Sequence, residues 1–272
     1  MAAESNIAWT DATWNPTRGC ERVSEGCRKC YAEVLAARHS YKGGWGEGLA
    51  HYVTRPDGTK EARWTGVLQT VEKMLDAPLR WKKPRRIFVN SMSDLFHKDV
   101  SDAFIAEVFA VMAGCPQHVF QILTKRPERM QEFCSQQLPL WDDHAKNLPI
   151  PNIWLGVSAE DQDTFDQRVE ILGQTPAAVR FVSAEPFLGD IDIGNAFDDP
   201  GDDSEYGKLD WAIIGGETGS GHRPMDIEAA RAFIRQVKCM GGAMFVKQDS
   251  GPRPGMRGRF TDAEWALKEY PA

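Results

Sequence analysis

The sequence has no run of about 18 apolar residues, so it contains no candidate for a membrane-spanning helix. Residues Met1 to Ser5 lack the basic and apolar segments of a secretory signal, and we expect a cytoplasmic protein. An excess of positive charge is also missing, because 39 acidic residues outnumber 32 basic ones and the formal net charge is −7. This balance argues against non-specific binding of nucleic acid through bulk charge, although a local basic patch would still allow a contact.

Cysteine is scarce, with six residues in a chain of 272, but three of the six are clustered. Cys20, Cys27 and Cys30 have the spacing C-x6-C-x2-C, whereas the other three are scattered singly. In a chain without a secretory signal, clustered cysteines favour metal binding over disulfide bonds. An apolar segment before the cluster predicts a short strand, and residues 32–38 predict a helix. The cysteines are therefore expected on a loop between these two elements.

The number of clustered thiols bears on the kind of metal group. A structural zinc site has four ligands, whereas a [4Fe–4S] cluster held by three cysteines leaves one iron open to a substrate or cofactor. The radical S-adenosylmethionine (SAM) enzymes are built in this second way, with the usual spacing C-x3-C-x2-C, so the first gap is wider here. Two alternatives stay open: a zinc site with a distant fourth ligand such as His39, His97 or His222, and three free thiols.

Short apolar runs alternate with amphipathic segments from residue 86 onward, and together with the run before Cys20 they predict about seven strands. This alternation predicts an α/β fold with a parallel sheet. Polar residues follow almost every strand, which favours a TIM-like (β/α) barrel, complete or partial, over an open doubly wound sheet. We expect one domain over residues 1–272, with an irregular insertion at about 40–84 and a flexible C-terminal tail. The acidic segment 198–203 is expected to be an exposed excursion.

Several motifs taken together resemble the phage Gp37/Gp68 family. They are Ile7 to Pro16, the cysteine cluster with the following Tyr31-Ala32-Glu33, Thr124 to Pro127, Gly156 to Glu160, Ser183 to Pro186, and Gly215 to Gly219. This family occurs in phages and bacteria and is distantly similar to the radical SAM enzymes. The resemblance implies a radical-SAM-like barrel, a [4Fe–4S] cluster and SAM as cofactors. It supplies neither the reaction nor the substrate.

The similarity to radical SAM enzymes suggests roles for individual residues. Cys20, Cys27 and Cys30 would be the cluster ligands. The candidates for binding SAM are Tyr31 for the adenine, Ser91, Ser93 and Asp94 after the second strand, Lys125 and Arg126 for the carboxylate or a substrate anion, and Ser158 and Glu160 for the ribose. Radical SAM enzymes often carry a Gly-Gly-Glu motif after the second strand, and this sequence departs from that motif.

Three further strand-end residues are candidate catalytic groups, namely Glu185, Glu217 and Lys247. Two carboxylates at adjacent strand ends repel each other unless a ligand or a cation neutralises them, so their recurrence here favours a function. The alternative for each is a polar side chain that bonds to a neighbouring loop. In a barrel, all the strand-end residues would face one mouth.

We therefore expect an iron–sulfur enzyme that cleaves SAM reductively and begins radical chemistry on a small molecule or nucleotide. An external electron donor would be its partner, and a nucleobase or nucleotide in phage DNA modification is one candidate substrate. Two other functions stay open: a zinc-containing nucleic-acid-processing or hydrolytic barrel protein, and a non-catalytic binding protein with a structural cluster. Iron and sulfide content distinguishes the zinc protein from the radical SAM enzyme, and SAM binding distinguishes the non-catalytic binding protein from it.

Overall fold

The computed structural model describes residues 5–137, 149–197 and 207–272, and the acidic segment 198–203 lies outside them. In chain order its strands are Ala12–Trp14 (β1), Thr17–Arg18 (β2), Ala50–Thr54 (β3), Lys60–Trp64 (β4), Gln69–Thr70 (β5), Arg86–Val89 (β6), Val119–Thr124 (β7), Ile153–Ser158 (β8), Val179–Ala184 (β9), Trp211–Gly215 (β10) and Ala243–Gln248 (β11). The central sheet contains β1 and β6 to β11, in that order and all parallel. The predicted α/β fold with seven parallel strands is confirmed.

Helices follow most of these strands, as expected for a β/α fold. They are Tyr31–Arg38 (α1), Asp102–Ala113 (α2), Pro127–Glu132 (α3), Gln162–Gly173 (α4), Ile227–Cys239 (α5) and Asp262–Trp265 (α6). Local sequence determines where several of them begin. The Ser101 side chain accepts a hydrogen bond from the Phe104 N–H at the start of α2, and Asp161 forms a capping box at the start of α4. In the described residues, no helix is both long and apolar enough to cross a membrane.

The sheet is curled into a partial barrel, as the position of Trp9 shows. The Trp9 ring lies 4.7 Å from the Phe88 ring on β6 and 6.1 Å from the Trp211 ring on β10. These strands are four positions apart in the sheet, which would separate them by about 19 Å if the sheet were flat. One indole reaches both rings only because the sheet curves around it. The edge strands β1 and β11 do not pair with each other in the part of the chain that the structure describes, so the barrel is incomplete.

Side chains inside the barrel change from aromatic to polar along several of the strands. A buried cluster contains the inward-facing residues Phe88, Trp154, Phe181, Trp211 and Phe245. Because alternate residues of a strand face the same side, the later inward positions towards the carboxyl ends include Ser158, Glu185 and Lys247. The aromatic cluster therefore fills the lower half of the barrel, and the polar residues are left at its mouth.

The insertion at 40–84 contains more regular structure than predicted. Its strands β3 and β4 form an antiparallel hairpin that packs on α1 through Leu49, Ala50 and Ala62. The Trp64 N–H donates to the buried carboxylate of Glu33 on α1 over 2.8 Å. These contacts place the hairpin beside the cysteine loop. The sequence showed the Asp57-Gly58 turn of this hairpin, but its strands lack a clear alternation of apolar and polar residues.

The segment after β11 is attached to the barrel mouth. The buried Asp249 carboxylate accepts hydrogen bonds from the backbone and side chain of Arg259, at 2.7–2.8 Å. Gly258 has a φ of +55°, and a Cβ atom there would lie 2.3 Å from Oδ2 of Asp249. Glycine adopts this positive φ readily and leaves room for the carboxylate, so Gly258 allows the segment to fold back on the end of β11.

Candidate metal and cofactor site

The three clustered cysteines line a single cavity of about 140 Å³ at the carboxyl ends of the strands. The opposite wall consists of residues that follow the parallel strands, which are Asn90, Ser91, Ser93, Asp94, Lys125, Arg126 and Ser158. Tyr31 and Trp64 lie on the side of α1 and the hairpin, and Phe88 contributes from the aromatic cluster. The structure thus brings the cysteine loop together with most of the residues predicted to bind a cofactor.

The local structure of the loop separates Cys20 from the other two cysteines. Cys27 ends a 3-10 turn, Glu25–Cys27, and Cys30 directly precedes α1, with its N–H donating to the Cys27 carbonyl over 3.3 Å. Cys20 lies instead in the segment that follows β2. All three cysteines are free, and as whole residues they are partly exposed. Within the described residues, no three His, Cys, Asp or Glu side chains are arranged so that they could hold one metal ion.

The protonation of the thiols follows from their surroundings. Burial raises the pKa of the Cys20 thiol to about 12, the charge of Asp94 adds to this effect, and Arg126 opposes it. Burial also raises the pKa of Cys30, against hydrogen bonding from the Glu33 backbone. Both thiols are therefore protonated at neutral pH. Since metals bind thiolates, loading of the site must release protons.

Glu160 fixes one side of the cysteine loop. Its buried carboxylate accepts the Gly26 N–H over 3.1 Å through Oε1 and pairs with Arg168 over 3.0 Å through Oε2. A Cβ atom at position 26 would lie 3.0 Å from this carboxylate, so glycine is what allows the approach. The sequence predicted that Glu160 binds a ribose, and in the structure both of its oxygens are bonded within the protein.

Glu217 fixes the other side of the loop. Its carboxylate accepts hydrogen bonds from the backbone and guanidinium of Arg223. It also lies 3.7 Å from the ammonium of Lys29, a residue between Cys27 and Cys30 in the sequence. Arg223 also donates to the Glu25 carbonyl over 3.1 Å. Burial raises the pKa of Glu217, but the bonds from Arg223 and the charge of Lys29 bring it below its ordinary value. Glu217 therefore lies at the same end of the sheet as the cysteines, as an anion held between two cations.

The polar residues after β6 connect the cavity wall to neighbouring segments. The Ser91 hydroxyl donates to the Asn15 side chain over 3.1 Å, and the Ser91 carbonyl accepts the Tyr31 hydroxyl over 2.7 Å. The Ser93 hydroxyl lies 2.7 Å from that of Thr17. These bonds hold the loop that follows β1 against the loop that follows β6.

Four residues form a polar chain along the barrel mouth. Lys125 donates to the Ser158 hydroxyl over 2.6 Å, and this hydroxyl donates to the Glu185 carbonyl over 3.2 Å. The Glu185 carboxylate pairs with Lys247 over 2.8 Å. No described carboxylate lies within 4.0 Å of the Lys125 ammonium, and this cation is thus available to an anionic group in the cavity.

Asn90 is a cavity residue that sequence reasoning missed. It has a φ of 62°, is 3% exposed, and accepts the Thr17 N–H through Oδ1 over 3.4 Å. Among the described residues its Nδ2 has no hydrogen-bond partner, which is costly for a buried donor. The only signal in the sequence was its place at the end of an apolar run, and many asparagines follow strands without such a role.

The three histidines considered as a fourth zinc ligand do not line the cavity. The His39 ring stacks on Trp45 with 5.4 Å between ring centroids, and Nδ1 of His222 bonds to the Gly219 carbonyl. His97 is fully buried, with Nε2 3.8 Å from the Glu21 carboxylate.

Comparisons with known proteins give one family and two solved structures. A family model described as "Protein of unknown function (DUF5131)" matches residues 4–262. The chain is similar to a cysteine-to-serine mutant of spore photoproduct lyase (11% identity, TM-score 0.42) and to spore photoproduct lyase complexed with dinucleoside spore photoproduct (9%, 0.43). Each alignment covers 88% of this chain, which spans 64% of the length of those chains. A search of curated proteins found no match. The resemblance to the phage Gp37/Gp68 family stays a prediction.

Proposed function

The chain belongs to the DUF5131 family of proteins of unknown function, and we propose that it is a radical SAM-type iron–sulfur enzyme. One observation carries this proposal. The three cysteines of the C-x6-C-x2-C motif line the same cavity as Lys125 and Ser158, at the mouth of a partial (β/α) barrel. Parallel barrels hold their active sites at this end, because the loops that follow the strands meet there.

The type and number of the donors, rather than their present arrangement in the described residues, fit an iron–sulfur cluster. Cys20, Cys27 and Cys30 would be its ligands, since all three thiols reach the cavity and three thiolates leave one iron of a [4Fe–4S] cluster open. When bound, such a cluster would deliver an electron from an external donor to SAM, and the cleaved SAM would supply the radical that starts the chemistry on a substrate. Lys125, which has no described carboxylate partner, would compensate part of the negative charge that three thiolates bring into the cavity.

The remaining cavity residues would bind and orient the ligand. Lys125 would bind an anionic group, such as the SAM carboxylate, because its ammonium has a hydroxyl partner but no described carboxylate partner. Ser158 orients this ammonium. The half-exposed Tyr31 ring lies at the cavity wall, where it would stack on a base.

The floor and the far side of the mouth have different roles. Phe88 and the aromatic cluster below it close the bottom of the cavity. The Glu185–Lys247 pair lies further along the mouth, within reach of a substrate that enters there. Since the two charges neutralise each other, the pair would present a hydrogen-bonding surface to a polar substrate, and a nucleobase or nucleotide is one candidate.

The test is cleavage of SAM by the reduced protein under anaerobic conditions. Chromatography should detect 5′-deoxyadenosine from the wild type, formed slowly in the absence of substrate. Cys27→Ala should abolish the product, and Cys239→Ala should not, because Cys239 is exposed and belongs to α5, away from the motif. A wild-type protein that carries four irons and fails to bind SAM at millimolar concentration would instead be a binding protein with a structural cluster.

A further inference from the structure

Among the described residues, Arg126 is the one side chain whose hydrogen bonds link Cys20 to the end of a strand. Its Nη1 lies 3.9 Å from the Cys20 sulfur, and its Nη2 donates to the neighbouring Glu21 carbonyl over 3.4 Å. Among the hydrogen bonds that the described residues make to the three clustered thiols, only this one comes from a cation. Cys27 and Cys30 do not depend on a cationic side chain for their positions, because the backbone hydrogen bond between them already holds them together.

Asp94 holds the Arg126 guanidinium in this position. Its Oδ2 accepts Nη1 of Arg126 over 2.9 Å and the Lys125 N–H over 3.1 Å, and its Oδ1 accepts the Thr124 hydroxyl over 2.8 Å. The side chains of Asp94 and Arg126 are only 8% and 13% exposed. The carboxylate is thus fixed to the end of β7, and the guanidinium is fixed to the carboxylate.

The Asp94–Arg126 pair accounts for how Cys20 is positioned despite the wide gap between Cys20 and Cys27 in the sequence. Six residues separate Cys20 from Cys27, so the backbone alone leaves the first thiol free to take many positions. The Asp94–Arg126 pair attaches it to the same strand end that carries Lys125, on the wall of the cavity. Arg126 therefore supports, from outside the loop, the Cys20 thiol that the wider gap separates from the other two cysteines.

The charge of Arg126 has a second consequence. A cation that donates a hydrogen bond to a ligand sulfur stabilises the more negative, reduced state of an iron–sulfur cluster, and so raises its reduction potential. The Asp94 carboxylate, 2.9 Å away, offsets part of this effect, and the low exposure of Arg126 weakens the screening of the remainder by solvent.

We propose that Arg126 positions Cys20 as a cluster ligand and raises the reduction potential of the cluster, a role that rests on the proposed function. It is a positioning residue, since it acts through Cys20. The exposed Arg28 lies in the same loop and pairs with Glu25 over 3.5 Å; in the described residues it donates to none of the clustered thiols, and it serves as a matched control.

The experiment compares wild type, Arg126→Gln, Arg126→Lys and Arg28→Gln after anaerobic reconstitution. Iron and sulfide per chain are measured first, and the midpoint potential then follows from a redox titration monitored by electron paramagnetic resonance. We expect Arg126→Gln to shift the potential to a more negative value, Arg126→Lys to restore part of the shift, and Arg28→Gln to match wild type. If Arg126→Gln instead loses iron while remaining folded, retention of iron by Arg126→Lys supports the role of the charge.

Two results would overturn the inference. One is a fully loaded Arg126→Gln protein with the wild-type potential. The other is equal loss of iron from the folded Gln and Lys variants, which would show that charge has no part in the effect. Both differ from failure of the proposed function itself, in which wild-type protein would contain no iron–sulfur cluster.

Discussion

The backbone N–H of Gly26 donates to the buried carboxylate of Glu160 over 3.1 Å, although 134 positions separate the two residues in the sequence. This bond joins the cysteine loop to the end of β8, and the Glu217–Lys29 contact joins it to the loop after β10. The loop is therefore fixed to the barrel mouth by protein groups alone. Such preorganisation reduces the ordering that a bound metal group would otherwise have to impose.

Glu160→Gln should destabilise the fold strongly. The change leaves the buried Arg168 charge, which is 7% exposed, without a compensating carboxylate. Removing one partner of a buried ion pair typically costs about 3–5 kcal/mol. The measurement is the free energy of unfolding in urea. Glu228→Gln is the control, because Glu228 is 73% exposed in its pair with Arg231 and should contribute about 1 kcal/mol or less. Equal losses in the two variants would contradict the role given to Glu160.

Cys20 should react slowly with alkylating reagents in the metal-free protein. Burial raises its pKa from the ordinary 9.0 to about 12, so only on the order of a thousandth of the thiol is ionised at pH 9. The rate should rise about tenfold for each pH unit until the pH approaches that value. Peptide mass spectrometry after timed alkylation measures the rate at Cys20, and the unfolded protein provides the reference. A rate that levels off near pH 9 in the folded protein would show that the thiol is not enclosed as described.

Glu61 should contribute to the acid dependence of stability. Hydrogen bonds from Arg55 and Arg22 and the charge of Arg63 lower its pKa from the ordinary 4.5 to about 2, although its partial burial opposes this. A lowered pKa in the folded state means that the stabilisation is present above pH 4.5 and is lost as the pH falls towards 2. Unfolding in urea at several pH values should show a shallower loss of stability for Glu61→Gln over this range. Identical acid profiles in the two proteins would refute the coupling.

The sequence predicted the parallel sheet well because its signals are local. Each apolar run of β6 to β11 is short, and the polar residue after it marks the strand end. The curl of the sheet is not local, since it depends on Trp9, which precedes β1, packing against Trp211 on β10. No spacing along the chain indicates that contact.

The candidate site shows the same contrast between local signals, which the sequence contains, and long-range contacts, which it does not show. The motif spacing predicted the three clustered cysteines as ligands, and strand-end position predicted Lys125 and Ser158 as binding residues. All five line the cavity, and their roles stay predictions. The sequence did not show which cations pair with the carboxylates. Arg168, for example, reaches Glu160 only because α4 folds back on β8. A carboxylate that anchors a loop and one that binds a ligand have the same appearance in a sequence.

The most direct test of the account is the iron and acid-labile sulfide content of protein reconstituted anaerobically. A [4Fe–4S] cluster on Cys20, Cys27 and Cys30 predicts about four irons and four sulfides per chain. Alanine at any of these three positions should abolish the cluster, whereas alanine at Cys115 should leave it in place, because Cys115 is buried in the hydrophobic core. One zinc per chain without sulfide would contradict the radical SAM proposal and favour a zinc protein on the same barrel.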